Sequence, residues 1–284
     1  MATGVTTDLP AAPALSGAEW LATAGMWLLL LGGGLWMARL LLGRARRGLP
    51  LLAGVAWPPA TWSGLETFLL FALEIFCVSL FAAGVGKDAP LLDRMAAQGA
   101  GSIVGTLGLV ALLRGRGVSW RSLGLGSNDL GGDWRLALGG LLLVTGPLLA
   151  VAGFLNTLVP YEHPVIDCLE RNQDGWGLVV VAIAAVVAAP VAEEFFFRRL
   201  LLGWIDTLCP SPGGALAVGL SATAFGLAHW GQGLGWVPLI PLGVVLGVLA
   251  RQRGTLVPAI LLHALFNAVS VGLLVLQISQ RTPG

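Results

Sequence analysis

The stretch GLVVVAIAAVVAAPVAEEFFFRRL, Gly177 to Leu200, decides the fold. Its first sixteen residues carry no charge and are apolar enough to lie in lipid. Glu193, Glu194, Arg198 and Arg199 then follow within seven positions. A bilayer-spanning helix needs about 20 mainly apolar residues, and ionised groups within one are costly. Paired carboxylates at the end of such a segment therefore ask for a reason.

The whole chain fits a lipid environment. Of its 284 residues, 56% are hydrophobic and 11% are charged; a soluble domain carries about 25% charged residues. The net charge of +1 gives no basic face for nucleic acid, so none is expected as a partner. Cys77, Cys168 and Cys209 lie far apart, with no spacing for a metal knuckle or a disulfide framework. Residues 1–19 lack Lys and Arg and so lack the basic region of a signal peptide; they read as a short disordered tail.

Hydropathy predicts an all-α fold, a polytopic membrane helical bundle of about eight transmembrane helices. The expected spans are 20–42, 63–85, 95–113, 136–156, 176–199, 213–230, 236–250 and 256–277. They divide into N-terminal transmembrane helices (20–156) and a polar-bearing region (176–277), joined by an exterior segment near 157–175 that contains His163. The 41 glycines, mostly inside spans, suggest closely packed helices. Before the seventh span, GQGLG reads as a tight turn or a re-entrant piece. Trp57, Trp62, Trp120, Trp134, Trp176, Trp230 and Trp236 fall near span ends and read as interfacial anchors.

Basic residues set the orientation. Arg39, Arg44, Arg46, Arg47, Arg114, Arg116, Arg121, Arg135, Arg198, Arg199, Arg251 and Arg253 fall on one side; Lys87, Arg94, Arg171 and Arg281 fall on the other. The richer side is expected to be cytoplasmic.

Helical spacing sorts the buried polar residues. Glu194 and Arg198 are four apart with the glutamate first, the favourable order for an ion pair on one face. Glu193 lies about 100° around the helix and is left to face something else. Pro190 removes a backbone donor just before them and frees a carbonyl. His263 and Asn267 are also four apart and share a face. His229 closes FGLAH. Each group alone has a plain reading: a polar helix end, an interhelical hydrogen bond, an interfacial histidine. Together they could converge on a water. Glutamate would serve as general base, while histidine and asparagine donate to a developing oxyanion. The alternative is a zinc site of Glu193, His229 and His263, though HExxH is absent and Asn267 has no place in it. No cofactor is favoured. Glu66 and Glu74, eight apart on span two, are expected to pair with buried polar groups.

EEFFFR (Glu193–Arg198), FGLAH (Phe225–His229) and HALFN (His263–Asn267) resemble the EExxxR, FxxxH and HxxxN motifs of the CPBP family. That family comprises CAAX prenyl endopeptidases and bacteriocin-processing or immunity membrane proteins. SWRSLGL (Ser119–Leu125) resembles the connector its members carry upstream. The resemblance covers roughly 180–270 and implies an intramembrane endopeptidase. In it Glu193 activates water, Glu194 and Arg198 give electrostatic support, and His229 orients the attacked carbonyl. His263 and Asn267 stabilise the oxyanion. The implied partners are membrane lipid and a peptide or membrane-anchored protein substrate. Apart from the resemblance, the high Gly, Ala and Leu content and the short loops suggest a bacterial inner membrane. A non-catalytic immunity or maturation protein and a proton-coupled transporter are the rival readings. The poor fit is His229, which falls near the far end of span six if that span starts at 213.

Overall fold

The computed structural model describes residues 17–48, 57–161, 164–171, 175–211 and 214–281. These form nine helices and, among the described residues, no strand. They are α1 (Gly17–Arg46), α2 (Gly64–Val85), α3 (Leu91–Gly115), α4 (Leu130–Leu158), α5 (Pro164–Arg171), α6 (Gly175–Leu208), α7 (Ala215–Ala228), α8 (Trp236–Arg253) and α9 (Val257–Arg281). Eight of them coincide with the expected spans. The ninth, α5, lies within the segment expected to be exterior, where Cys168 and Leu169 pack against Val180 and Ile278. Most of the expected tail, and His163, lie outside the described residues; α1 is already helical at Gly17.

Among the described residues, five helices are long and apolar enough to cross a membrane: α2, α3, α4, α6 and the Val257–Leu276 part of α9. With 14 residues, α7 reaches only about 21 Å, short of the ~30 Å hydrocarbon layer. The outer surface agrees with a lipid surround. Phe68, Leu69, Phe76 and Leu80 of α2 are all more than half exposed, a pattern water would penalise.

Small residues bring the helices together. A Cβ on Gly101 of α3 would lie 2.9 Å from Val78 Cα of α2. One on Gly34 of α1 would lie 2.9 Å from the Leu142 carbonyl of α4, and one on Gly243 of α8 would lie 3.0 Å from Ala222 Cα of α7. These close approaches replace the hydrophobic drive that lipid cannot supply. At the centre sits α6. Its Phe195, Phe196 and Phe197 join Phe225, Leu242, Leu246, Leu262 and Phe266 in the main core.

The backbone of α6 is wound wide in two places, Ile183–Ala188 and Glu194–Leu201, with i→i+5 hydrogen bonds. The helix also runs on to Leu208, beyond the expected end at 199. Ile205 there is buried beneath Ala217 and Val218 of α7. GQGLG is a tight turn, with Gly231 and Gly233 at φ 109° and 54°. The Ser119–Leu125 connector is clamped into the bundle. Leu123 is fully buried, and the Gly124 carbonyl accepts from the Leu256 N–H (2.9 Å) and the Thr255 hydroxyl (3.0 Å). Asp133, fully buried at the start of α4, accepts from Ser127 and from Arg253 Nε at 2.8 Å, tying α4 to the end of α8.

Two expectations are corrected. Trp62 is buried and donates from Nε1 to the Leu200 carbonyl at 3.0 Å, so it is a core residue and not an interfacial anchor. Glu66 makes a capping box with Ser63 at the start of α2 and pairs with Arg116, so it serves a helix end and not the bundle interior.

Gly101→Ala should force α2 and α3 apart and lower stability by about 1–3 kcal/mol. Gly108→Ala, whose Cβ meets nothing within 4 Å, should not. Thermal unfolding of the two variants in detergent checks this.

Candidate active site

Three helices meet around the charged end of the wide-wound segment. Glu194 and Arg198 of α6 are both fully buried, and Arg198 Nε stands 3.1 Å from Glu194 Oε2. The expected ion pair is therefore present. The other oxygen, Glu194 Oε1, lies 2.9 Å from His263 Nδ1 of α9. One carboxylate thus engages a guanidinium and an imidazole. Arg198 lies over the Phe225 ring at 4.3 Å, so an aromatic face supplements the carboxylate. Its Nε, Nη1 and Nη2, like Glu194 Oε2, make no hydrogen bond among the described residues, so the pair is a charge contact.

Glu193 stands differently. Its side chain is 27% exposed, and its Oε2 is 3.8 Å from His263 Nε2. It also lines a cavity of about 190 Å³ between α2, α3 and α6, walled by Phe71, Ile75, Val78, Phe196 and Phe197. Of the adjacent glutamates, one is locked in a buried pair and the other faces open space. His263 touches both, with one ring nitrogen for each. When Nδ1 carries the proton and donates to Glu194, Nε2 is the nitrogen presented to Glu193.

Asn267 follows one turn after His263. Its Nδ2 donates to the Ala185 carbonyl at 2.8 Å. The reason lies in α6. In the wide winding Ala185 would accept from residue 190, which is Pro190 and has no N–H, while the Ala189 N–H goes to Ala184. Asn267 supplies the missing donor. An amide carries two N–H groups, so this bond leaves one for another acceptor.

His229 follows directly after α7 and meets the site residues through Phe225. The residue caps the C-terminus of α7, and its Nδ1 pairs with the Phe225 carbonyl at 2.9 Å. The Phe225 ring stands between the two histidines, 5.1 Å from His229 and 5.6 Å from His263, edge-on to each. The helix starts close to the expected residue 213, and the shared Phe225 contact is what links His229 to His263. Among the described residues, no three His, Cys, Asp or Glu side chains are gathered closely enough to hold a metal, so Glu193, His229 and His263 do not form such a set here.

Sequence spacing missed Ser221. Ser221 donates to the Phe197 carbonyl at 2.7 Å, another carbonyl of the wide winding. Ser221, Phe225 and His229 are successively four apart, a stripe that could have marked this face of α7. Glu74 lines the same cavity as Glu193. It accepts from Ser102 (3.2 Å) and Thr106 (3.4 Å) of α3, as expected, and it fits because Gly105 has no side chain to block it.

Residues 175–269 match the family model described as Rce1-like, type II CAAX prenyl endopeptidase. No curated protein and no solved structure matches the chain significantly. The matched stretch runs from the start of α6 into α9 and contains Glu193, Glu194, Arg198, His229, His263 and Asn267. Residues 175–269 therefore make up an Rce1-like domain of the CAAX-protease family, in a helical membrane protein.

Proposed function

We propose that the chain is an intramembrane endopeptidase that hydrolyses a peptide bond of a membrane-associated or lipid-anchored protein or peptide near the membrane face. The observation that carries this reading is the division of labour between the adjacent glutamates. Glu194 is fully buried against Arg198 and His263, while Glu193 faces the cavity.

In the proposed step, Glu193 takes a proton from water as the water oxygen attacks the substrate carbonyl carbon. The carbonyl π electrons move to oxygen. His263 Nε2, when protonated, and the second N–H of Asn267 donate to that oxyanion. Donors aimed at developing charge in a water-poor site are each worth about 10²–10³ in rate. His229 orients the attacked group beside Phe225. Collapse of the tetrahedral intermediate breaks the C–N bond, and the proton held by Glu193 passes to the leaving nitrogen. Glu194 and Arg198 hold His263 in place and fix the local charge. The cavity between α2, α3 and α6 has mainly apolar walls, which suits a substrate segment arriving from lipid. Basic-rich helix ends facing the cytoplasm of a bacterial inner membrane complete the reading.

Purified protein should cleave a fluorogenic membrane-anchored peptide library. Glu193→Ala should reduce the rate by about 10²–10⁴-fold, the range for a general base, with thermal unfolding unchanged. Activity surviving a strong zinc chelator supports the glutamate mechanism; chelator-sensitive activity moves the chemistry to a metal. A variant cleaving as fast as wild type removes Glu193 from the reaction.

Arg198→Gln should behave in the opposite way. Removing one partner of a buried pair costs about 3–5 kcal/mol, so stability should fall together with activity. Glu194→Gln combined with Arg198→Gln should recover part of the stability and none of the activity. Unfolding curves beside cleavage rates separate the two roles.

A further inference from the structure

Arg199 is 1% exposed, yet among the described residues no carboxylate pairs with it. Its Nε donates to the Ser122 carbonyl and its Nη2 to the Pro58 carbonyl at 3.2 Å. The guanidinium lies between two indoles, 5.1 Å from the Trp57 ring and 4.6 Å from the Trp62 ring. Carbonyls and rings soften a buried charge but do not neutralise it. Residues 49–56, immediately before Trp57, contain no acid.

This cation borders a cavity of about 270 Å³ at the C-terminal end of α6, lined by Trp57, Pro58, Arg199, Gly203, Asp206 and Arg251 among others. Asp206 and Arg251 pair with each other at 3.0 Å and cancel, so the lining keeps the positive charge of Arg199. A second observation is independent of charge. Trp57 Nε1 is buried and makes no hydrogen bond among the described residues. A buried indole N–H usually has an acceptor. Gly203 matters as well: a Cβ there would lie 2.7 Å from Arg199 Nη1, so the absent side chain keeps the guanidinium in position.

We propose that this cavity binds the phosphate of an anionic phospholipid headgroup, with Arg199 as the cationic anchor and Trp57 Nε1 as a neutral donor. An oxyanion supplies the countercharge and the acceptor that these two groups lack. The lipid assignment follows from place. The cavity sits at the end of a membrane-crossing helix, on the side where Arg251 and Arg253 end α8 and Arg44 and Arg46 end α1. Basic pockets between helices on a positively charged face are where lipid phosphates dock. The site uses none of the residues assigned to hydrolysis, so it stands or falls independently of the protease reading.

The test is titration of the purified full chain in neutral detergent with short-chain phosphatidylglycerol, phosphatidylcholine or inorganic phosphate, read by thermal stability and tryptophan fluorescence. Phosphatidylglycerol should stabilise saturably, and phosphatidylcholine should not. Arg199→Gln should weaken the apparent affinity at least about tenfold, and Trp57→Phe about threefold or more. Arg135→Gln, an exposed control, should leave it unchanged. Trp57→Phe keeps a ring in place and tests the site if Arg199→Gln does not fold. Equal phosphatidylglycerol responses in wild type and Trp57→Phe would overturn the proposal. So would saturation by inorganic phosphate that abolishes the lipid effect, which assigns a free anion. Competition by a peptide with a free C-terminal carboxylate, but not by its amide, would overturn it in favour of a substrate end.

Discussion

The pairing of Glu194 with Arg198 inside α6 is the interaction on which the rest depends. Two ionisable groups with no solvent exposure, in a helix long enough to cross a membrane, persist only if their surroundings are arranged around them. The arrangement is visible on every side. His263 brings α9 to one carboxylate oxygen, Phe225 brings α7 to the guanidinium, and Phe197 covers its flank. Three helices are thus fixed by one ion pair. Because that pair consumes Glu194, Glu193 is free to face the cavity beside it.

The second constraint is the backbone. Wide winding at Ile183–Ala188 and Glu194–Leu201 leaves carbonyls without their usual α-helical donors, a costly condition away from water. Each wide stretch receives help from another element. Asn267 donates to Ala185, Ser221 to Phe197 and Trp62 to Leu200. These donors lie on α9, on α7 and just before α2, so the distortion of α6 itself holds its neighbours. Asn267 joins the two constraints. It mends the carbonyl that Pro190 leaves open, and its position one turn after His263 keeps that histidine facing both glutamates.

Most of this was legible where spacing carries geometry. The i,i+4 relation placed Glu194 against Arg198, and Pro190 foretold a freed carbonyl. The three motifs marked the helices that meet. Other features depend on contacts between distant segments, and no local pattern encodes them. The burial of Trp62 rests on Arg199 and Leu200, at and just beyond the end at which hydropathy truncated α6, because charges normally end a span. The link from His229 to His263 runs through the Phe225 ring, a contact between distant segments. Glu66 resembled an intramembrane carboxylate by its spacing from Glu74. Ser63, three residues earlier, was the available sign that it caps a helix.

Arg198 and Arg199 show how far adjacent, chemically identical residues can be separated by helix geometry. One residue turns the side chain by about 100°. Arg198 points into the bundle and meets a carboxylate, so its charge is compensated within the protein. Arg199 points toward the connector and meets only carbonyls and indoles, so its charge is hydrogen-bonded but not cancelled. A bundle under selection for stability alone would replace the second arginine with an apolar side chain, since burying an unbalanced cation is expensive. Its retention beside a cavity with an unsatisfied indole N–H makes sense if the balancing charge comes from outside the chain. Consecutive faces of one helix would then serve different partners, a peptide on one and the membrane's own phosphates on the other.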